Sequence, residues 1–241
     1  MIESVTFVVP SYRTAETLPI LIDRLELAAP AFADRYEVLV VDDACPERSG
    51  ATVVGRRCVR VVGFDTNQGQ RTAVLVGMSM STSDVVCVMD ADLQDDPDSV
   101  SMLLSELEHR RCDVVCAGRR GRHQQASRRI QAWLFRSVRW VTTLGRVPRD
   151  AGLFHVATNS AVRRMTGVAV PGDDPLVVYA RTGSCARSVP VQRSERAVGS
   201  SGYGLRDRLA LAARSLRGAF PRFGQVAVWP ATHDISRMES K

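Results

Sequence analysis

The chain has 241 residues, 45% hydrophobic and 24% charged, which allows one large domain with a real core and excludes a disordered polymer. Its net charge is +6, and Lys241 is the only lysine; the other basic residues are all arginine. Arginine suits both a GC-rich coding bias and anion recognition through a bidentate fork, so position along the chain must separate the two.

The first half alternates strand and helix. Short β-branched runs at 4–9, 36–41, 59–64, 84–89 and 112–117 predict strands, and the segments near 15–29, 69–82 and 97–110 predict helices, the last opening with Pro97 at its first helical position. Continuous apolar strands separated by helices predict an α/β fold, with a mainly parallel central sheet and helices on both faces. In such sheets ligands bind beyond the carboxyl ends of the strands. Three strands end in polar residues: Pro10-Ser11-Tyr12, Asp42-Asp43 and Asp90-Ala91-Asp92. All three are expected to face one crevice.

Beyond residue 120 the rhythm changes. Over 127–146 an apolar helical stripe of Ile130, Trp133, Leu134, Val138, Val141 and Leu144 is flanked by Arg128, Arg129, Arg136, Arg139 and Arg146. The pattern fits a packed surface helix and equally a peripheral membrane contact. Residues 184–193 predict a further strand and 205–218 a second basic helix, while the tail after Pro221 carries no pattern. The six cysteines form no C-x-x-C pair and sit partly in apolar runs, which argues against a disulfide framework or zinc site and for a reducing cytoplasm. The start, MIESVTFVVPSY, has no secretory pattern, and no run approaches the roughly 20 apolar residues of a membrane span. A cytoplasmic protein, one that can lie on the membrane's cytoplasmic face, is expected.

Asp90 and Asp92 follow a buried run, so two carboxylates can share one hard cation, Mg²⁺ or Mn²⁺, completed by substrate phosphates. Asp95, Asp96 and Asp98 read as capping residues for the helix behind them. A nucleic-acid-binding module is disfavoured: aromatics are 6% of the chain, no such motif is present, and acids cluster where a phosphate backbone would have to approach.

The ordered set Pro10-Ser11-Tyr12, Val40-Val41-Asp42-Asp43, Asn67-Gln68-Gly69-Gln70 with Ala73 and Gly77, Met89-Asp90-Ala91-Asp92-Leu93-Gln94, and Arg196-x-x-Gly199-x-Ser201-x-Tyr203 resembles the family 2 inverting glycosyltransferases. Within them it is similar to the polyprenyl-phosphate, dolichol-phosphate-mannose-synthase-like sugar transferases. The resemblance implies a GT-A sandwich over the whole chain: a nucleotide-sugar half at 1–120, an acceptor part at 121–220 and a tail at 221–241. It implies a nucleotide-diphospho-sugar donor, with Pro10, Tyr12 and Asp42 or Asp43 at the base and ribose. Asn67, Gly69, Ala91 and Ser201 are placed in the donor site by the same motifs. Asp90, Asp92 and Gln94 would hold the metal. Arg196 would meet phosphate, aided by Arg119, Arg128 and Arg129.

The resemblance leaves the acceptor open between a lipid phosphate, which needs no base, and an alcohol or amine of a soluble molecule, which does. Asp150, in Arg149-Asp150-Ala151-Gly152-Leu153-Phe154, is the favoured functional carboxylate. Asp174, in Gly172-Asp173-Asp174-Pro175-Leu176, lies where alcohol-using relatives carry their base, although a turn and helix N-cap explain it equally well. The family's opening P-x-Y-N-E is here Pro10-Ser11-Tyr12-Arg13-Thr14, and the C-terminal membrane helices of many bacterial members of this branch are not matched in these 241 residues. A catalytically dead partner subunit is disfavoured by the retained Asp90, Asp92 and Arg196.

Overall fold

A computed structural model describes residues 2–120, 137, 139–192 and 229–235, with backbone alone for 119 and 120. Among the described residues, eight strands form one sheet: β1 (Ile2–Ser11), β2 (Ala33–Asp42), β3 (Val59–Phe64), β4 (Val85–Val88), β5 (Val114–Arg120), β6 (Ala151–Thr158), β7 (Ala186–Gln192) and β8 (Thr232–Asp234). Their order is β7-β5-β6-β4-β1-β2-β3-β8. The pairs β1–β2, β1–β4, β2–β3 and β5–β7 are parallel. The pairs β4–β6, β5–β6 and β3–β8 are antiparallel.

Among the described residues, α1 (Leu18–Ala28), α2 (Gln70–Met80), α3 (Ser99–Arg110), α4 (Asn159–Thr166) and α5 (Pro175–Arg181) cover the two faces. Strand periodicity sorts the core. Val5, Phe7 and Val9 of β1 pack with α1 and α3, whereas Val8 packs with α2, α4 and α5 on the opposite face. α2 lies so close to the sheet that a Cβ at Gly77 would sit 2.5 Å from Val8 Cγ1, so only glycine fits there. Cys45, Cys87, Cys112 and Cys116 are buried and free, as small core residues.

The expected strands and helices of the first half are present, with boundaries moved by up to three residues. α3 begins at Ser99, so Pro97 lies in the preceding turn, where its carbonyl accepts the Val100 N–H at 3.0 Å. The patternless tail supplies β8, which pairs with β3, and a Cβ at Gly63 would lie 2.7 Å from Ile235 Cδ1. The amphipathic reading of 127–146 needs correction at its described end. The helix stops at Thr142; Val141 is 62% and Leu144 86% exposed, whereas Arg139 is 6% exposed. The inversion has a local cause: Arg139 Nη2 donates to the Ala151 carbonyl at 2.6 Å, so the guanidinium anchors the start of β6. Residues 128–134, and the basic helix expected at 205–218, lie outside the described residues.

Candidate donor and acceptor site

Parallel β1, β2 and β4 are neighbours, so Pro10-Ser11-Tyr12, Asp42-Asp43 and Asp90-Ala91-Asp92 emerge along one sheet edge. β6 runs the other way between β4 and β5, so its starting residues open on that same edge. Asp150, immediately before β6, is thereby brought to the edge that carries Asp90. The sequence reading missed β6 altogether, and with it the reason that Asp150 stands at this edge.

The loops on this edge are tied to one another. Ser11 Oγ and Thr14 Oγ1 are 2.8 Å apart, the Thr14 N–H donates to Ser49 Oγ at 3.0 Å, and the Arg13 N–H donates to Cys45 Sγ at 3.1 Å. Tyr12 stays 43% exposed, with the Arg13 guanidinium 5.5 Å from its ring centroid. Arg13, Ala44, Arg48 and Leu93, all on these loops, adopt left-handed backbone, the kind of strain that persists where surrounding structure enforces it.

The two acids after β2 have different partners from those expected of nucleotide ligands. Asp42, 5% exposed, accepts the Cys45 N–H at its Oδ1 and the Gly50 N–H at its Oδ2, both at 2.8 Å. Asp43 accepts the Gln68 N–H at 2.6 Å and the Gly69 N–H at 2.8 Å. Asn67 Nδ2 donates to the Asp43 carbonyl at 3.2 Å. Asp42 therefore shapes the loop beside Tyr12, and Asp43 fastens the start of α2, where Gly69 has φ 86°. Burial pushes the Asp43 carboxyl above its usual range, and the two backbone N–H groups oppose that shift.

Asp90 and Asp92 are half-buried on the turn after β4, with Ala91 buried between them. Asp92 Oδ1 accepts the Gln94 N–H at 3.1 Å, and Asp90 Oδ1 accepts from Gln70 Nε2 at 2.5 Å. Among the described residues no group of three or more His, Cys, Asp or Glu side chains gathers as a metal site. Two hard carboxylates on one tight turn nevertheless match what Mg²⁺ or Mn²⁺ takes from a protein when a diphosphate supplies the remaining oxygens. Asp95, expected as a cap, is 1% exposed, and the Asp98 N-cap position of α3 makes no side-chain cap bond.

On the β6 side of the edge, Asp150 Oδ1 accepts from Ser188 Oγ of β7 at 2.8 Å, and the carboxylate lies against Gly118 of β5, a position with no room for a side chain. Asp174 is the N-cap of α5: its Oδ1 accepts the Leu176 N–H at 3.1 Å, and its Oδ2 meets Arg71 Nη2 at 3.3 Å. On β6, His155 is fully buried, with its ring 5.8 Å from and edge-on to the Tyr179 ring. Burial pushes His155 down to about 4, so it is neutral at physiological pH. Gln70 stands in the motif Asn67-Gln68-Gly69-Gln70 without a role assigned from sequence, and Arg71 was missed; its place beside that motif at the helix start was the available signal. Arg128, Arg129, Arg196, Ser201 and the Arg119 side chain lie outside the described residues.

With this geometry in place, comparison with known proteins is informative. The family model Glycosyl transferase family 2 matches residues 6–166. The undecaprenyl-phosphate 4-deoxy-4-formamido-L-arabinose transferase of Pseudomonas fluorescens (strain Pf0-1) is 32% identical over 175 residues, covering 70% of this chain and 44% of that protein. The transferase of the same name from Sodalis glossinidius (strain morsitans) is 30% identical over 223 residues, covering 85% of this chain and 64% of that protein. The chain thus spans about half to two thirds of these relatives. Among solved structures, glucosyl-3-phosphoglycerate synthase from Mycobacterium tuberculosis with phosphoglyceric acid superimposes with a TM-score of 0.65 at 19% identity, over 90% of this chain and 79% of that one. The same synthase has also been solved with Mn²⁺ and UDP-glucose, at a TM-score of 0.62 and 18% identity over 96% of this chain and 86% of that one. The architecture is the GT-A glycosyltransferase fold. A family match over two thirds of the residues, on a sheet whose edge gathers the motif acids, leaves one assignment: the chain belongs to glycosyl transferase family 2.

Proposed function

We propose that the protein is a metal-dependent inverting transferase that moves a hexose from a nucleotide-diphospho-sugar to a polyprenyl phosphate. The observation that carries this reading is the shared edge: Tyr12, the Asp90–Asp92 pair and Asp150 all lie where parallel strands end and antiparallel β6 begins. The exposed Tyr12 face offers a stacking surface for a base, and Asp42 and Asp43 hold the loops that present it. A divalent cation between Asp90 and Asp92 would supply charge stabilisation for the departing nucleoside diphosphate. The relatives named as undecaprenyl-phosphate transferases support a lipid-phosphate acceptor, and the synthase solved with Mn²⁺ and UDP-glucose supports the metal and donor class.

An acceptor phosphate arrives ionised, so no base has to remove a proton. Asp150 then orients the acceptor. Its hydrogen bond from Ser188 leaves Oδ2 facing Gly118 at the sheet edge, whereas Asp174 is committed to the α5 cap and Arg71. A membrane contact is supported by the end of the basic segment. Trp140, Val141 and Leu144 are exposed beside exposed Arg146 and Arg149, with the Arg149 guanidinium 4.2 Å from the Trp140 ring centroid.

The test has two arms. Melting curves with UDP-, GDP- and dTDP-sugars, with and without Mn²⁺, should show a metal-dependent rise for one nucleotide. Anionic liposomes should bind the protein in a salt-sensitive manner and shift tryptophan fluorescence to the blue. Absence of liposome binding, together with an indispensable Asp150 carboxylate and a rate that falls at acid pH, would make the acceptor a soluble alcohol or amine instead.

A further inference from the structure

Adjacent residues on the first turn of α2 reach different acids, Gln70 to Asp90 and Arg71 to Asp174. The Gln70 contact is the closer of the two, with Nε2 2.5 Å from Asp90 Oδ1. Gln70 itself stands on a fixed base. Asp43 accepts the Gln68 and Gly69 N–H groups, Thr72 Oγ1 donates to the Gln68 carbonyl at 3.0 Å, and Gly77 seats the helix directly on β1. A rigid path therefore runs from the end of β2 through Asp43 and α2 to the Asp90 carboxylate.

We infer that Gln70 is a positioning residue for the metal carboxylate: its side-chain amide holds Asp90 in the orientation that divalent cation and diphosphate require. This rests on the metal reading given above. The chemistry of the residue supports it. A carboxamide N–H donates a hydrogen bond to one carboxylate oxygen without bringing a charge of its own to the site. Lysine or arginine at the same place would also reach Asp90 but would repel the metal and neutralise its ligand. Partners that orient a ligating carboxylate in this way typically change metal affinity by about 10–100-fold when removed.

The experiment is a Mn²⁺ titration read by the electron paramagnetic resonance of free Mn²⁺, in the presence of UDP or GDP, on the wild type, Gln70→Leu, Gln70→Glu and Gln70→Lys. Melting without metal is measured in parallel. The leucine variant fills the same volume without the donor, and we expect Mn²⁺ binding about 10–100-fold weaker with an unchanged metal-free melting temperature. Gln70→Lys should bind less Mn²⁺ than Gln70→Leu, because it adds a cation where leucine adds none. With saturating Mn²⁺, Gln70→Leu should recover most of its kcat, separating a loss of metal affinity from damage to the site. Gln70→Glu keeps the size, removes the donor and adds a negative charge, so tighter Mn²⁺ binding than in Gln70→Leu is expected. Equal Mn²⁺ affinity in the wild type and Gln70→Leu would overturn the inference. So would weakened binding accompanied by an equally lowered metal-free melting temperature in all three variants, which would make Gln70 a fold contact. A wild type that takes up no Mn²⁺ with either nucleotide would remove the metal reading itself, and is told apart from the former outcomes by the wild-type trace alone.

Discussion

The β2 side and the β6 side of the edge hold their acids by different means. After β2, Asp42 and Asp43 are gripped by four backbone N–H groups, and their geometry is a property of the main chain. Across the sheet, Asp150 rests on a serine hydroxyl, and Asp174 is shared between a helix cap and an arginine. Acids gripped by backbone are construction, and removing them should cost stability. An acid held by a side-chain hydroxyl, as Asp150 is, keeps its charge available, and removing it should cost rate. Asp90 and Asp92 lie between these extremes on the turn after β4: the Gln70 side chain donates to the first and the Gln94 backbone N–H to the second.

The largest expected effect tests the middle case. Asp90→Asn or Asp92→Asn should lower sugar transfer by about 10³-fold or more, the scale for losing a major source of charge stabilisation. Melting temperature should hold, because neither residue belongs to the packed core; transfer by either variant at the wild-type rate would end the metal assignment. The construction acids should behave in the opposite way. Asp42→Ala strands the buried Cys45 and Gly50 N–H groups, and a loss of about 3 kcal/mol in denaturant unfolding is expected.

An acid-side titration tests the acceptor half. His155 titrates near its ordinary 6.5 when unfolded and at about 4 when folded, so between those values only the unfolded chain takes up the proton. Stability is therefore full above pH 6.5 and falls as pH drops toward 4, by roughly 3 kcal/mol in total. In His155→Leu the corresponding slope should vanish; an unchanged slope would assign the acid sensitivity to carboxylates. Asp150→Asn should be milder, about tenfold in kcat/KM with little change in melting, if an ionised phosphate is the acceptor. The smallest effect belongs to Leu144→Ser, which should lower affinity for anionic liposomes severalfold while changing stability by less than about 0.5 kcal/mol, since the residue is 86% exposed.

What could be read from the sequence divides along similar lines. β1 to β4 announce themselves as apolar runs, and Asp90-Ala91-Asp92 is visible because it breaks such a run abruptly. The Asp174 cap was also readable, since Asp-Pro-Leu is a local signal and the cap bond spans two residues. β6 was not. Ala151-Gly152-Leu153-Phe154-His155-Val156-Ala157-Thr158 contains a glycine and a histidine, is largely buried on both faces and so lacks alternation, and owes its direction to β4 and β5. The Asp43 grip on α2 crosses 25 and 26 residues, a separation that only the packing of α2 on the sheet creates. Arg139 was assigned to the surface by its charge, because no pattern in a helix reveals that a distant carbonyl, Ala151, lies within reach.

The position of β4 limits how such an enzyme can be recombined. All four of its residues are buried, and its two ladders join β1 on one side to β6 on the other. A fragment ending at residue 120 would keep the first ladder and lose the second, baring a wholly apolar strand edge that invites pairing with other chains. Exchanging acceptor halves between family members, to pass a new acceptor preference to an old donor site, therefore means transplanting β6 together with a matching β4. A splice point chosen where the motifs change, near 120, would cut through the register Val85–Thr158 to Val88–His155 and yield aggregates instead of chimeras.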